Sequence, residues 1–558
     1  GHVRALSALP SRVTGYPGAE AASTYMEETL KSYGLSTRTE SYFVTTPLDM
    51  GANITLLSPD GTPIRVLQAY AMWPNVVNPS PYNSPPEGDT MIYGGYADFS
   101  DFADYAQRFN VKVEGKVVLV EFNSRWYWKN AALLGAKAVI FIAPDETFRP
   151  QAEQKTMSIP VNFPRLYVSR EDGLMLRDLL LREGSIQVSV SSFMKWVRKP
   201  TVNVIATLEG EDPSLKREIV AVTAYYDSWS PVPALAPGAT DALNPAFLLE
   251  FARVITQTPD LAKPKRSVMF IAFSGHYQGI WGAREFIDAH FAEIGTKIKL
   301  FLSLDLATES KQVALYHTGT TYPYSNPAAL QAKYYWARDA VLTRYKPAME
   351  QALDRTYETL DGIIVVKPPY EMPPLMFESD AFTLTCYGGG LAFRTTNAIR
   401  PWQKTPLDTP DRLRMENLWP QVEFITGVYY AFLNDPSIST LLSLMPGKLA
   451  TDWGFATVTG QISLYNATSA WFDPVVAKDA VVRVVQMSSA LAVPGVMTQA
   501  IPTFAATASG VGFASPYPGA PLSAIDIVML PDENGVVKFK GVKPFTSGLM
   551  MAYVINST

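Results

Sequence analysis

Cysteine is nearly missing: one residue, Cys386, stands in a chain of 558, so no disulfide can form within it. Histidine is almost as rare, with His2, His276, His290 and His317 the whole supply. Charged residues make up only 18%, and 47 basic against 52 acidic side chains leave a net charge of −5. With no basic run anywhere, nothing points to nucleic acid or an anionic membrane surface as a partner. No apolar stretch approaches the ~18 residues that a membrane-spanning helix needs, which argues against a transmembrane segment in this chain. Internal repeats and low-complexity tracts are absent too.

What is present is a globular composition. Hydrophobic residues reach 47%, with 43 prolines, 28 tyrosines and 11 tryptophans. That mixture suits an extracytoplasmic protein (secreted, periplasmic or cell-surface) that does not depend on disulfides. The length predicts two to four domains. Gly1-His2-Val3-Arg4 reads as a trimmed start from which a signal or anchor has been removed. Asn53-Ile54-Thr55, Asn466-Ala467-Thr468 and Asn556-Ser557-Thr558 fit the glycosylation acceptor pattern.

Periodicity then organises the chain. Ala22, Tyr25, Met26, Thr29, Leu30 and Tyr33 share one face of a predicted helix that Gly34 ends. Residues 60 to 95 are dense in turn formers and read as loop. Two continuous apolar runs, Gly115 to Phe122 and Gly135 to Ile142, flank a short helix near Trp128 to Leu134 and predict a parallel pair of buried strands. A second series predicts strands at Ile219 to Ala224, Val268 to Phe273 and Ile298 to Leu304. Between the first two lies a helix with Asn244 as its N-cap and Pro245 at the first helical position. A further helix is predicted from about Asp411 to Leu433. From about Asp452 short β-branched runs alternate with turns such as Asp532-Glu533-Asn534-Gly535, which predicts an antiparallel hairpin system and a small β-sandwich. The class is α/β with a mainly parallel sheet.

In an open α/β sheet, chemistry collects just past the carboxyl ends of the strands. Three strand ends carry suitable groups. The first runs into Tyr225-Tyr226-Asp227-Ser228, the second into Ser274-Gly275-His276-Tyr277-Gln278-Gly279, and the third into Asp305; Asp241 lies in the loop before the Asn244 helix. Metal ions that activate water would need acidic and imidazole ligands there, plus a carboxylate as base.

The order and spacing of these residues resemble the aminopeptidase Y and glutamate carboxypeptidase family of dizinc exopeptidases, which includes the non-enzymatic transferrin receptor and nicastrin. The opening Arg12-Val-Thr-Gly-Tyr-Pro-Gly-Ala-Glu-Ala-Ala22 is similar to that family's, and Gly115 to Ala143 resembles its inserted protease-associated domain. The fold resumes in a stretch similar to Val202-Asn-Val-Ile-Ala206. The resemblance implies an exopeptidase-like domain over 1–62 and 198–435, an insert over 63–197, and a linker with a C-terminal β-sandwich over 436–558. The last unit resembles the regulatory-type module of secreted carboxypeptidases through Val458-Thr459-Gly460-Gln461 and Asp532 to Val542.

Set against that family's pattern, the ligands are degenerate. His-x-Asp becomes Tyr225-Tyr226-Asp227, the bridging Asp is matched by Asp241, and the paired glutamates fall on His276 and Tyr277. The later acidic ligand is matched by Asp305, and the final His falls on Lys404 before Thr405-Pro406-Leu407-Asp408-Thr409. A phenol is a poor zinc ligand and an ammonium is none. The expectations are therefore no zinc and no other cofactor, with a single calcium or magnesium ion on Asp227, Asp241 and Asp305 as the rival. Lys404 is expected to replace the lost positive charge, with the Tyr225 and Tyr277 hydroxyls donating to the aspartates. Unit charges about 4 Å apart interact by roughly 4 kcal/mol at an effective dielectric near 20. The implied function is a non-catalytic scaffold or binding subunit with protein partners in an extracytoplasmic assembly, docking through the old cleft or the insert. The alternatives are an active aminopeptidase or carboxypeptidase with an unorthodox metal site, and a peptide- or glycan-binding protein that uses the cleft. Glu378-Ser379-Asp380, Cys386 and the aromatic run Trp126-Tyr127-Trp128 are read as structural, the last also as a candidate partner surface.

Overall fold

The structure, a computed structural model, describes residues 1–157, 159–316, 337–361, 389–439, 456–476, 480–486, 525–542 and 548–554. His317, Glu378, Asp380, Cys386 and Asn556 lie outside the described residues.

Strands β1 (Ser36–Leu57), β2 (Pro63–Ala71), β3 (Tyr82–Asn83), β4 (Asp89–Tyr93), β5 (Val117–Glu121), β6 (Ala138–Ile142), β7 (Arg165–Val168) and β8 (Ile186–Leu208) build the first part. The pairings run β1-β2-β7-β6-β5-β4-β8, and β8 pairs with β1 again, so seven strands close on themselves. β5 and β6 are the expected parallel pair, in register Val117 with Ala138. β2 corrects the expectation of loop between residues 60 and 95: its first half is exposed, but Leu67, Ala69 and Ala71 alternate inward, a period-2 pattern hidden among the turn formers. β1 and β8 stay paired antiparallel over some twenty residues, from Ser36 with Thr207 to Leu57 with Gln187. The far half of this ribbon leads into the main sheet, and residue 197 lies inside β8.

The main sheet adds β9 (Ile219–Tyr225), β10 (Ser267–Phe273), β11 (Ile298–Asp305), β12 (Val313–Tyr316), β13 (Thr359–Asp361) and β14 (Gly389–Thr395), in the order β8-β10-β9-β11-β14-β12-β13. Its centre, β10-β9-β11-β14, is parallel. Helices cover it: Leu243–Gln257 and Met415–Asn434 contribute Phe247, Phe251, Phe424 and Tyr429 to one core, and Trp281–His290 contributes Phe286 to another. Burial on both faces is why the central strands read as unbroken apolar runs.

The Leu243–Gln257 helix starts two residues earlier than expected. Its N-cap is Ala242, not Asn244. The Asn244 side chain turns inward, and its Oδ1 accepts the Leu306 N–H at 2.8 Å, pinning the chain just beyond β11. A tertiary donor outcompetes the local cap.

The C-terminal strands are β15 (Ala456–Gln461), β16 (Ser463–Asn466), β17 (Trp471–Pro474), β18 (Ala480–Gln486), β19 (Ile525–Met529), β20 (Val536–Val542) and β21 (Gly548–Val554), all paired antiparallel. The turn Asp532 to Gly535 forms, but it does not make a hairpin of its neighbours. β19 pairs with β18, whereas β20 pairs with β15. The module is anchored on the Trp281–His290 helix: Phe539 lies 5.9 Å from Trp281, ring to ring, and Lys540 Nζ meets Glu285 and Asp288 at 2.7 and 2.8 Å.

Candidate functional site

β9 and β10 end side by side, with Tyr225 in register with Phe273. The chain leaving β10 turns sharply at Gly275, where φ is +72° and a Cβ would press to 3.1 Å on Trp281. That turn brings His276 over Tyr225, with ring centres 3.8 Å apart and planes 14° from parallel. Tyr277 stands nearly perpendicular to both rings. Three of the singled-out residues therefore form one aromatic cluster.

Asp241 is the hub beneath it. Fully buried, its Oδ1 accepts hydrogen bonds from the Tyr277 hydroxyl at 2.8 Å, the Gln403 amide at 2.9 Å and the Tyr225 hydroxyl at 3.2 Å. Asp227, also fully buried, accepts from the Thr14 hydroxyl at 3.0 Å and from the Tyr277 N–H at 3.5 Å. Burial pushes its carboxyl up to about 6, against the opposing pull of His276 and these hydrogen bonds. Asp227 Oδ1 and Asp241 Oδ2 are buried without a hydrogen-bond partner.

The positive charge beside these carboxylates is Arg12. Its guanidinium is fully buried and donates only to backbone carbonyls, those of Tyr226, Leu6, Pro237 and Gly238. Burial lowers its pKa, while Asp241, Asp408 and Asp227 hold it up. Asp408 completes the group: it accepts from the Thr240 hydroxyl at 2.8 Å and the Thr240 N–H at 3.1 Å. Burial, followed by the nearby Asp241, drives the Asp408 carboxyl up to about 8.

Lys404 meets a carboxylate of the insert before it meets the aspartates. Its ammonium pairs with Glu153 at 3.3 Å and lies 5.6 Å from the Tyr277 ring centre. Burial and the neighbouring Arg149 pull it down to about 8, with Glu153 and then Asp241 opposing. Gln403, one residue earlier, reaches Asp241 instead. Glu153 and Arg149 come from the insert: the helix Arg149–Glu153 presses against the loop after β14, with the Arg149 N–H donating to Pro401 O at 2.6 Å and its guanidinium to Gln403 Oε1 at 3.2 Å. Arg149 and Glu153 pair at 2.9 Å. Buried insert side chains thus pack against Gln403 and Lys404 beside the hub.

Asp305 stands apart. Arg394 Nε and Arg400 Nη1 bind its two oxygens at 2.8 and 2.6 Å. Burial would raise its pKa, but Arg400 and Arg394 hold it well below the usual carboxylate range. Both oxygens are committed, so Asp305 does not join Asp227 and Asp241. Arg12 and Asp408 lie within segments that the sequence had marked, and only their buried pairing was hidden. Arg149, Glu153, Arg394 and Arg400 carried no local signal, because fold alone brings them here.

Comparison with known proteins shows which family models parts of the chain match. Residues 203–425 match the model of peptidase family M28. Residues 79–176 match the PA domain, so the chain carries an M28 peptidase fold with a PA insert. Transferrin receptor protein 1 of Gallus gallus is 32% identical over 123 residues, which is 22% of this chain and 15% of that protein. A probable zinc metalloprotease of Pyrenophora tritici-repentis is 31% identical over 157 residues, 26% of this chain and 33% of that protein. Among solved structures, a zinc aminopeptidase from Bacillus subtilis aligns over 78% of this chain and 95% of its own, at 18% identity and a TM-score of 0.48. The gamma-secretase component nicastrin aligns over 72% and 77%, at 13% identity and a TM-score of 0.42. The chain spans a third or less of the curated relatives named here. Among the described residues no helix is long and apolar enough to cross a membrane.

These matches correct the expectation of no cofactor, or of a single calcium or magnesium ion. The M28 family and its relatives named for zinc point to zinc. The side chains gathered at the hub do not fit a pair of such ions. A bridging carboxylate gives lone pairs to metal from both oxygens, whereas Asp241 Oδ1 already takes three hydrogen bonds. Among the described residues no three His, Cys, Asp or Glu side chains gather as a metal-holding group.

Proposed function

We propose that this chain is a non-catalytic, extracytoplasmic scaffold or binding subunit built on an exopeptidase fold of the aminopeptidase Y and glutamate carboxypeptidase type. Its proposed divisions are 1–62 with 198–435, 63–197, and 436–558. The observation that carries the reading is the saturation of Asp241 Oδ1 by two phenols and a carboxamide. Peptide hydrolysis by this architecture needs a base and an activated water. At the base position stands His276, its ring stacked on Tyr225. The insert's Arg149 and Glu153, buried against Gln403 and Lys404, leave the hub shielded from a peptide. Protein partners in an assembly then meet the outer surface of the insert or the C-terminal module. In the insert, Trp128 is buried but Tyr127 is exposed, which limits that aromatic run to a small part of any such surface.

A second reading is a zinc-dependent aminopeptidase or carboxypeptidase with an unorthodox site. It draws on Asp227 Oδ1 and Asp241 Oδ2, the two buried oxygens left unpaired. Incubating the protein with a mixed peptide library and added zinc separates the two. The scaffold reading expects no free amino acids above a boiled control. Release that a chelator abolishes would establish the second.

A further inference from the structure

Among the described residues, two cationic side chains lie inside the insert with no carboxylate paired to them. Lys155 is fully buried and Arg165 nearly so. Lys155 Nζ donates to Arg125 O at 2.9 Å and lies 3.5 Å from Ser124 Oγ, with the Phe122 and Phe141 ring centres 5.1 and 5.4 Å away. Arg165 Nη1 donates to the carbonyl of Lys155 itself and Nη2 to Trp73 O at 2.7 Å. Its guanidinium carbon stands 5.2 Å from the Trp128 ring centre. Burial, and then Arg165, pushes the Lys155 ammonium well below its usual range, and burial alone brings Arg165 to about 9; among the described residues no acidic group acts on either.

Two buried donors of the insert also lack acceptors. Arg165 Nε and Trp126 Nε1 are both buried without a hydrogen-bond partner. Trp126 directly follows Arg125, whose carbonyl holds Lys155. Buried charges are normally paired, and buried N–H groups normally find acceptors. Leaving a buried cation uncompensated costs several kcal/mol. Missing counter-charge and missing acceptors are deficits of one sign, and a single small anion supplies both.

We propose that the insert holds a small monovalent anion of halide type between Lys155 Nζ and the Arg165 guanidinium, with the Trp126 indole N–H directed at it. Lys155 follows the helix Arg149–Glu153 by two residues, and Arg125 N–H donates to Gln151 Oε1 in that helix at 2.9 Å. The anion therefore steadies the segment that packs beside the Asp241 hub. The wild-type chain and Lys155→Met are compared by thermal unfolding in chloride, bromide and gluconate at one fixed ionic strength. The wild-type midpoint rises with the logarithm of chloride or bromide relative to gluconate, as binding to the folded state requires. Lys155→Met loses that shift and in gluconate is at least as stable as wild type. Crystals soaked in bromide show an anomalous peak beside Lys155. Equal midpoints in chloride and gluconate, a shift that persists in Lys155→Met, or bromide crystals without that peak would overturn the proposal; the crystal measurement stands even where the variant fails to fold.

Discussion

A carboxyl group cut off from water must gather donors or keep its proton. Asp241 has three donors on Oδ1. Tyr277→Phe removes the shortest of these from a buried acceptor, a loss of about 1–3 kcal/mol of stability that denaturant midpoints will read. Asp408 has Thr240 alone, and its carboxyl rises to about 8. The folded chain therefore binds that proton more tightly than the unfolded chain between about pH 4 and about pH 8, and stability falls as pH rises through that window. Asp408→Asn keeps an acceptor for Thr240 and removes the titration. It should flatten the upper part of the fall and raise stability at pH 8 by on the order of 3 kcal/mol. Asp227, raised to about 6, keeps part of the lower slope in either protein. An unchanged pH profile would refute the assignment. At this scale the sequence was legible for Tyr225, Asp227, Asp241 and Tyr277, because strand ends and a loop fix their places. It was incomplete at Lys404. A residue-for-residue replacement of a lost ligand ignores what the insert brings, and Glu153 takes the ammonium while Gln403 takes Asp241.

Among the elements, the short helix Arg149–Glu153 does most to set the state of the site. Glu153 compensates two cations, Arg149 at 2.9 Å and Lys404 at 3.3 Å. Glu153→Gln leaves both buried and unpaired, a loss of about 3–5 kcal/mol. Lys404→Met leaves Glu153 paired with Arg149 and changes stability by less than about 1 kcal/mol, the residue's compact pairing being replaced by a similar apolar volume. Urea midpoints of the two variants test the order, and a larger loss in Lys404→Met would reverse it. The central strands were readable because burial on both faces leaves continuous apolar runs. Partners at a distance were not. Asn244 looked like a helix cap but bonds to Leu306, and the β19–β20 turn joins strands of two different sheets.

Across the whole molecule, one continuous sheet and one helix tie the parts together. β1 and β8 run from the closed ring of the insert into the main sheet. On the other side Arg284 of the Trp281–His290 helix donates to Gly279 O at 2.7 Å and to Lys540 O and Gly541 O at 2.8 Å. A single guanidinium thus joins the loop that carries His276 and Tyr277 to the C-terminal module. Arg284→Met should speed hydrogen exchange in residues 274–280 and 536–542 together, and faster exchange in only one of them would break that link.

The account rests on what surrounds the Asp241 carboxylate. A high-resolution crystal structure grown with zinc present tests it most directly. We predict that the Tyr277 hydroxyl and the Gln403 amide still lie within hydrogen-bonding distance of Oδ1, near 2.8 and 2.9 Å. Both side chains swung aside, with two metal ions bridged by Asp241, would contradict it.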